Sequence, residues 1–269
     1  MLTTIALALL AGTPAQPGEL KLTNVRLTVG ELGPSREGNK LLPGDILFIA
    51  YDIDGITIDD EGIAKYTMGI ELVNPAGKTV LEQKREIVED IPLRGNRLPA
   101  RAYVFVGLED APGTYSCKLA VTDPKTKLSA TLNVKFEVLK KDFGIVAVHT
   151  SYDPNNERPA PTSGQVGEKI YLHFAVTGFE RDPKTKQPDV EMLVQFLDEK
   201  GAPILKAPRK HIQDAQSALP VLATDGVFTI QFPLYLNRPG KFVVEIKATD
   251  RVSKKTFTYK LPVTALPAN

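Results

Sequence analysis

The sequence predicts an all-β fold of two tandem antiparallel β-sandwiches, and three observations predict it. Ala111-Pro112-Gly113 opens a stretch of strict alternation, with Tyr115, Cys117, Leu119 and Val121 on one face and Thr114, Ser116 and Lys118 on the other. That period of two is the mark of a half-buried antiparallel strand. A near copy stands close to the C-terminus, where Arg238-Pro239-Gly240 precedes Phe242, Val244, Ile246 and Ala248 in the same phase, so one plan is used twice. The 269 residues also include 21 prolines and no long segment of helical periodicity, which suits short strands joined by turns.

Composition narrows the function classes. A chain of this length holds two domains of ordinary size, and 42% apolar with 24% charged residues is the balance of a folded, soluble protein. With 33 basic against 32 acidic residues the net charge is +1, so no global field favours nucleic acid or an anionic membrane. Any charged partner has to be met locally.

Residues 1–15 read as a secretory signal: an apolar run from Ile5 to Ala11, small residues after it, and a cleavage point after Ala15 with Thr13 at the minus-three position. The run is too short for a membrane span, so a secreted, periplasmic or cell-surface protein without an integral membrane domain is expected. The first sandwich is expected over residues 16–141 and the second over 142–269. A first strand over 20–29 carries Leu22, Val25, Leu27 and Val29, and a polar turn segment follows through Asn39.

Gly44-Asp45 then precedes a strand over 46–53, and Gly167-Glu168 precedes its counterpart 123 positions later. Leu47, Ile49, Tyr51 and Ile53 point inward in the first copy, as do Ile170, Leu172, Phe174 and Val176 in the second, which turns Asp52, Asp54 and His173 outward. In the next shared strand Tyr66, Met68, Ile70 and Leu72 answer Val190, Met192, Val194 and Phe196. Asn74-Pro75-Ala76-Gly77 and Asp198-Glu199-Lys200-Gly201 place Asx and glycine where tight hairpins need them, and Val80-Leu81 and Ile204-Leu205 begin the returning strands. The strand over 103–106 answers 230–233, and a short stretch over 212–219 reads as irregular or a single helical turn. The last hairpins turn at Asp123 and Asp250, and the linker over 139–144, without a glycine-serine or proline run, should hold the domains close.

Pro112-Gly113-Thr114-Tyr115-Ser116-Cys117 resembles the opening of the F strand in immunoglobulin-like domains, where a tyrosine corner precedes the core cysteine by two residues. The pattern departs in places: the acid usually four before the tyrosine is Asp110, one residue further away, and the second copy has Phe242, which keeps the ring and loses the hydroxyl. The partner cysteine and the core tryptophan are absent. The pair is similar to the immunoglobulin-like or fibronectin-III-like sandwiches that occur in tandem in bacterial secreted proteins. This resemblance implies a fold, and no activity transfers with it.

Cys117 is the only cysteine, which excludes an internal disulfide; its phase makes it a small buried hydrophobe, against the alternatives of an intermolecular bridge or a reactive thiol. His149, His173 and His211 fall in different places, and no nucleophile has a base beside it, so no catalytic residue is assigned. The acidic run Asp52, Asp54, Asp59, Asp60 and Glu61 gathers hard oxygen ligands of the kind calcium takes. Against this, Gly55 is misplaced for an EF-hand and Ala175 and Thr177 replace two of the acids in the second copy, which fits a solvated loop. Arg94, Arg97 and Arg101, and separately Arg209-Lys210-His211, form basic clusters that suit an anionic glycan or an acidic protein patch, or are plain solvated faces.

The expectation is an exported, non-enzymatic binding or structural module of the cell envelope, with a protein or glycan partner, no nucleic acid, and no cofactor unless calcium. One alternative is a carbohydrate- or calcium-binding module, weakened for sugar by the lack of tryptophan. The other is an enzyme or enzyme inhibitor acting through exposed loops such as 94–101.

Overall fold

The computed structural model describes residues 19–95 and 97–268, and the secretory signal expected over 1–15 lies outside them. The first module comprises β1 (Lys21–Thr28), β2 (Lys40–Leu41), β3 (Ile46–Asp54), β4 (Ile63–Val73), β5 (Thr79–Asp90), β6 (Arg97–Phe105), β7 (Gly113–Thr122) and β8 (Ser129–Val138). The second repeats the series as β9 (Gly144–Ser151), β10 (Ser163–Gln165), β11 (Lys169–Thr177), β12 (Val190–Leu197), β13 (Arg209–Gln213), β14 (Val227–Tyr235), β15 (Gly240–Asp250) and β16 (Thr256–Leu266). In the first module the sheet β1-β3-β6 faces β2-β8-β7-β4-β5, and in the second β9-β11-β14 faces β10-β16-β15-β12-β13. Only the short β2–β8 and β10–β16 pairings are parallel among these strands. The chain is thus all-β, two tandem immunoglobulin-like sandwiches of one topology.

The alternation read from the sequence sets both cores. Tyr115, Cys117, Leu119 and Val121 on β7 are buried, as are Leu47, Ile49, Tyr51 and Ile53 on β3 and their counterparts Ile170, Leu172, Phe174 and Val176 on β11. Burial pushes the Cys117 thiol up to about 11, so the thiolate that would react is suppressed. The tyrosine corner forms: the Tyr115 hydroxyl donates to the carbonyl of Ala111 at 3.1 Å, and the ring stacks on Phe136 with centroids 5.5 Å apart. Asp110 instead accepts from the Gly107 amide at 2.7 Å, closing the loop that leads in.

The structure corrects the sequence reading at four places. Val25 is exposed, because β1 bulges between Thr23 and Arg26 around Asn24, whose φ is 50°. The same bulge recurs in β9 at Ala147, φ 52°, 123 positions on. Tyr103 takes the position of Pro233 and Phe105 that of Tyr235, since Phe48 pairs with Tyr103 as Tyr171 does with Pro233. The true correspondence along these strands is therefore three residues further on than 230–233. Arg97 and Arg101 belong to β6 and not to a loop, with Leu98, Ala100, Ala102 and Val104 turned inward. Lastly, Ile204 and Leu205 precede the returning strand of the second module, which begins only at Arg209 and ends at Gln213, while its counterpart β5 runs for 12 residues. The stretch after Gln213 is turns, without a helix.

The modules meet through side chains as well as through the linker. Val29 of the first module is buried in the second core, and Phe143 of the linker joins it there. Gly178, at φ 65°, lies under the linker, and a Cβ there would strike the carbonyl oxygen of Asp142. Asp45 is buried in an ion pair with Arg36, and its Oδ1 also accepts from the amide of Ala147 at 2.9 Å, which ties the β9 bulge to the first module. The Thr177 hydroxyl donates to the carbonyl of Pro43 at 3.0 Å.

Candidate functional site

The acidic run does not converge. Asp52 accepts from Asn24 Nδ2 at 2.7 Å and Asp54 from the Thr23 hydroxyl at 2.6 Å, so both acids hold the β1 bulge. Arg97 Nε lies 2.8 Å from Asp54 and 3.7 Å from Asp52, and the hydrogen bond it gives Asp54 holds that carboxyl below the usual range. Asp59 is engaged separately, accepting from the Ile63 amide at 2.7 Å in a tight turn. Among the described residues no three Asp, Glu, His or Cys side chains are grouped to hold a metal ion. The second module explains the acids: where Asp52 and Asp54 become Ala175 and Thr177, their partners Asn24 and Thr23 become Ala147 and Val146.

The basic clusters are also divided. Arg94 donates to the carbonyl of Asp60, Arg97 to Asp54, and Arg101 to the carbonyl of Glu31 at 3.0 Å, so these three anchor loops instead of forming an open anion cradle. In the second module Lys210 pairs with Glu191, whereas Arg209 has no carboxylate partner among the described residues.

Two histidines that the sequence separates are brought together at the junction. His149 on β9 and His173 on β11 face each other in register and stack with centroids 5.0 Å apart at 6°. Ser151 Oγ lies 2.7 Å from Nε2 of His173, superficially a nucleophile beside a base. The hydroxyl, however, donates to the carbonyl of Asp153 at 2.5 Å, and Ser151 is fully buried, so Oγ accepts from the imidazole and no substrate reaches it. Pairing these histidines required the β9 bulge, which nothing in the sequence announces.

Burial holds His149 below the usual histidine range; burial does the same for His173, reinforced by the adjacent imidazole. As pH falls through about 6.5 the unfolded chain therefore binds more protons than the folded one, so stability is full above neutrality and declines on acidification. Melting midpoints should drop between pH 7.5 and 5.5, a window above that of the carboxylates, and the slope should flatten in His149→Gln/His173→Gln. An unchanged slope in that variant would remove the pair from the explanation.

Beside the histidines the outer face of β3 and β6 carries three rings. Phe48 and Tyr103 have centroids 6.4 Å apart, and Tyr103 meets Phe105 edge to face at 5.3 Å. Tyr103 is 49% and Phe105 66% exposed. They line a groove of about 480 Å³ between the modules, with Glu31 and Glu157 at its border. The sequence reading missed this face because it aligned the strand three residues out of step and so left the rings unplaced.

No family model matches the chain, and no curated protein matches it. Among solved structures, the C-terminal domain of AspA, an antigen I/II-family protein of Streptococcus pyogenes, is similar at 11% identity over 92% of this chain and 100% of that one, with a TM-score of 0.32. The alkylpurine DNA glycosylase AlkC of Pseudomonas fluorescens, bound to DNA containing an abasic site analog, is similar at 12% identity over 45% of this chain and 30% of that one, with a TM-score of 0.30. Likenesses this loose carry no argument about activity. Among the described residues no helix is long and apolar enough to cross a membrane.

Proposed function

We propose that the chain is an exported, non-enzymatic binding protein of the cell surface, whose two modules present the ring cluster of Phe48, Tyr103 and Phe105 to a protein partner. The observation that carries this reading is the exposure of Tyr103 and Phe105 beside the half-buried Phe48 on one sheet face, bordered by Glu31 and Glu157. Solvent-exposed rings at such density mark interaction surfaces, and aromatic residues supply most of the energetic anchors at protein interfaces. A sugar platform is the weaker reading, because sugars stack on flat ring faces and these rings are tilted by 52° and 75°. The buried Ser151 and the dispersal of the acids support the non-enzymatic part.

The test is retention of envelope proteins from the producing cells on the immobilised full chain, with a glycan array in parallel. Tyr103→Ser/Phe105→Ser should weaken the captured interaction by about 2 kcal/mol or more, roughly thirtyfold in Kd, while the melting temperature stays unchanged. Full retention by this variant, or selective glycan binding that it abolishes, would reject a protein partner at this face.

A further inference from the structure

The second module contains an apolar groove, and we propose that it binds the chain of a long-chain fatty carboxylate whose head group is held by Arg209 and Arg238. The groove has a volume of about 440 Å³, within the range of small-molecule sites, and lies between the two sheets at the end remote from the junction.

Two substitutions relative to the first module open it. The strand pairing that sets Tyr115 against Phe136 sets Phe242 against Val263, so the stacked ring is gone. Two positions on, Val138 becomes Ala265, which removes further volume. The lost ring reappears on the facing sheet as Phe232 in place of Ala102, where it leans on Phe196 with centroids 5.9 Å apart and lines the groove together with Val263 and Ala265. Because β13 starts only at Arg209, Ile204 and Leu205 come before it and line the groove beside Phe196.

The chemistry of the rim selects the occupant. Two arginines line the groove and no Asp or Glu does. Arg238, which stands where the first module has Ala111, lies over the ring of Phe242 at 5.2 Å, and among the described residues neither arginine pairs with a carboxylate. An apolar slot lined by two exposed arginines fits a hydrocarbon chain ending in an anion, because guanidinium and carboxylate form paired, charge-assisted hydrogen bonds. An added peptide strand is disfavoured, since Pro233 interrupts the donors of β14, the free edge along the groove.

The experiment is calorimetric titration of the full chain with sodium dodecanoate below its micelle concentration, with dodecanol as the uncharged control. Saturable one-to-one binding of dodecanoate is expected. Val263→Phe should restore the ring that the first module carries and weaken binding by about tenfold or more without lowering the melting temperature. Ala265→Val, a smaller filling of the same space, should weaken it in the same direction and serves if the larger residue disturbs folding. Arg209→Gln/Arg238→Gln should cost about tenfold for dodecanoate and leave dodecanol unchanged. Absence of saturable binding, equal binding by folded Val263→Phe and Ala265→Val, or indifference to loss of both arginines would overturn the proposal.

Discussion

Asp45→Ala should destabilise the protein by about 3 to 5 kcal/mol, the usual cost of removing one partner from a buried ion pair. Asp45 and Arg36 have side chains only 6% and 19% exposed, so alanine would leave a partly buried guanidinium without its counter-ion. It would also leave the Ala147 amide without its acceptor, in a bulge whose left-handed backbone already disfavours a residue with a Cβ. Asp45→Asn separates the two contributions: it retains an acceptor for Ala147 and loses the charge, and should fall between wild type and alanine. Denaturant titrations of the three proteins measure this. An alanine variant within 1 kcal/mol of wild type would mean that Arg36 finds water readily and that the junction does not depend on this carboxylate.

Tyr115→Ala should cost about 3 to 5 kcal/mol, as expected for deleting a buried ring, and Tyr115→Phe about 1 kcal/mol for the lost bond to Ala111. The sequence alone suggests the same large loss for Phe242→Ala. The structure revises that downward to roughly 2 kcal/mol, because Phe242 is only half-buried, faces Val263 instead of a second ring and borders the open groove. Thermal or urea unfolding of the three variants decides the matter. Equal losses at Tyr115 and Phe242 would mean that the groove closes over Phe242 in solution.

What the sequence disclosed follows from the physics of period-two patterns. A side chain on β7 or β3 has only two faces to choose from, so the alternation of Tyr115, Cys117 and Leu119, or of Leu47, Ile49 and Tyr51, settles burial at once. Repetition doubled the signal. The bulges at Asn24 and Ala147 were illegible because a bulge adds one residue without a composition mark unless it holds glycine, and here it holds asparagine and alanine. The acids were misread for a related reason: Asp52 and Asp54 look like ligands in a linear list, and their hydrogen bonds to Asn24 and Thr23 exist only once that bulge is formed. The three-residue slip between β6 and β14 arose because the loop after β14 is shorter, and it concealed both the exposed rings of Tyr103 and Phe105 and the transfer of a ring to Phe232.

The contact between the modules has a polarity. One side acts as a socket, with the carboxylate of Asp45, the carbonyl of Pro43 and the side chain of Val29, and the other as a plug, with the Ala147 amide and the Thr177 hydroxyl. The second module does not carry the socket again: Glu168 stands for Asp45 and an exposed Tyr152 for Val29, and Ala160 stands where Arg36 would be. Two copies of one fold have therefore become unlike parts. Exchanging their order should yield two folded sandwiches that do not dock, and a third copy of the second module appended behind it would find nothing to seat against, so the joint as built ends after a single use.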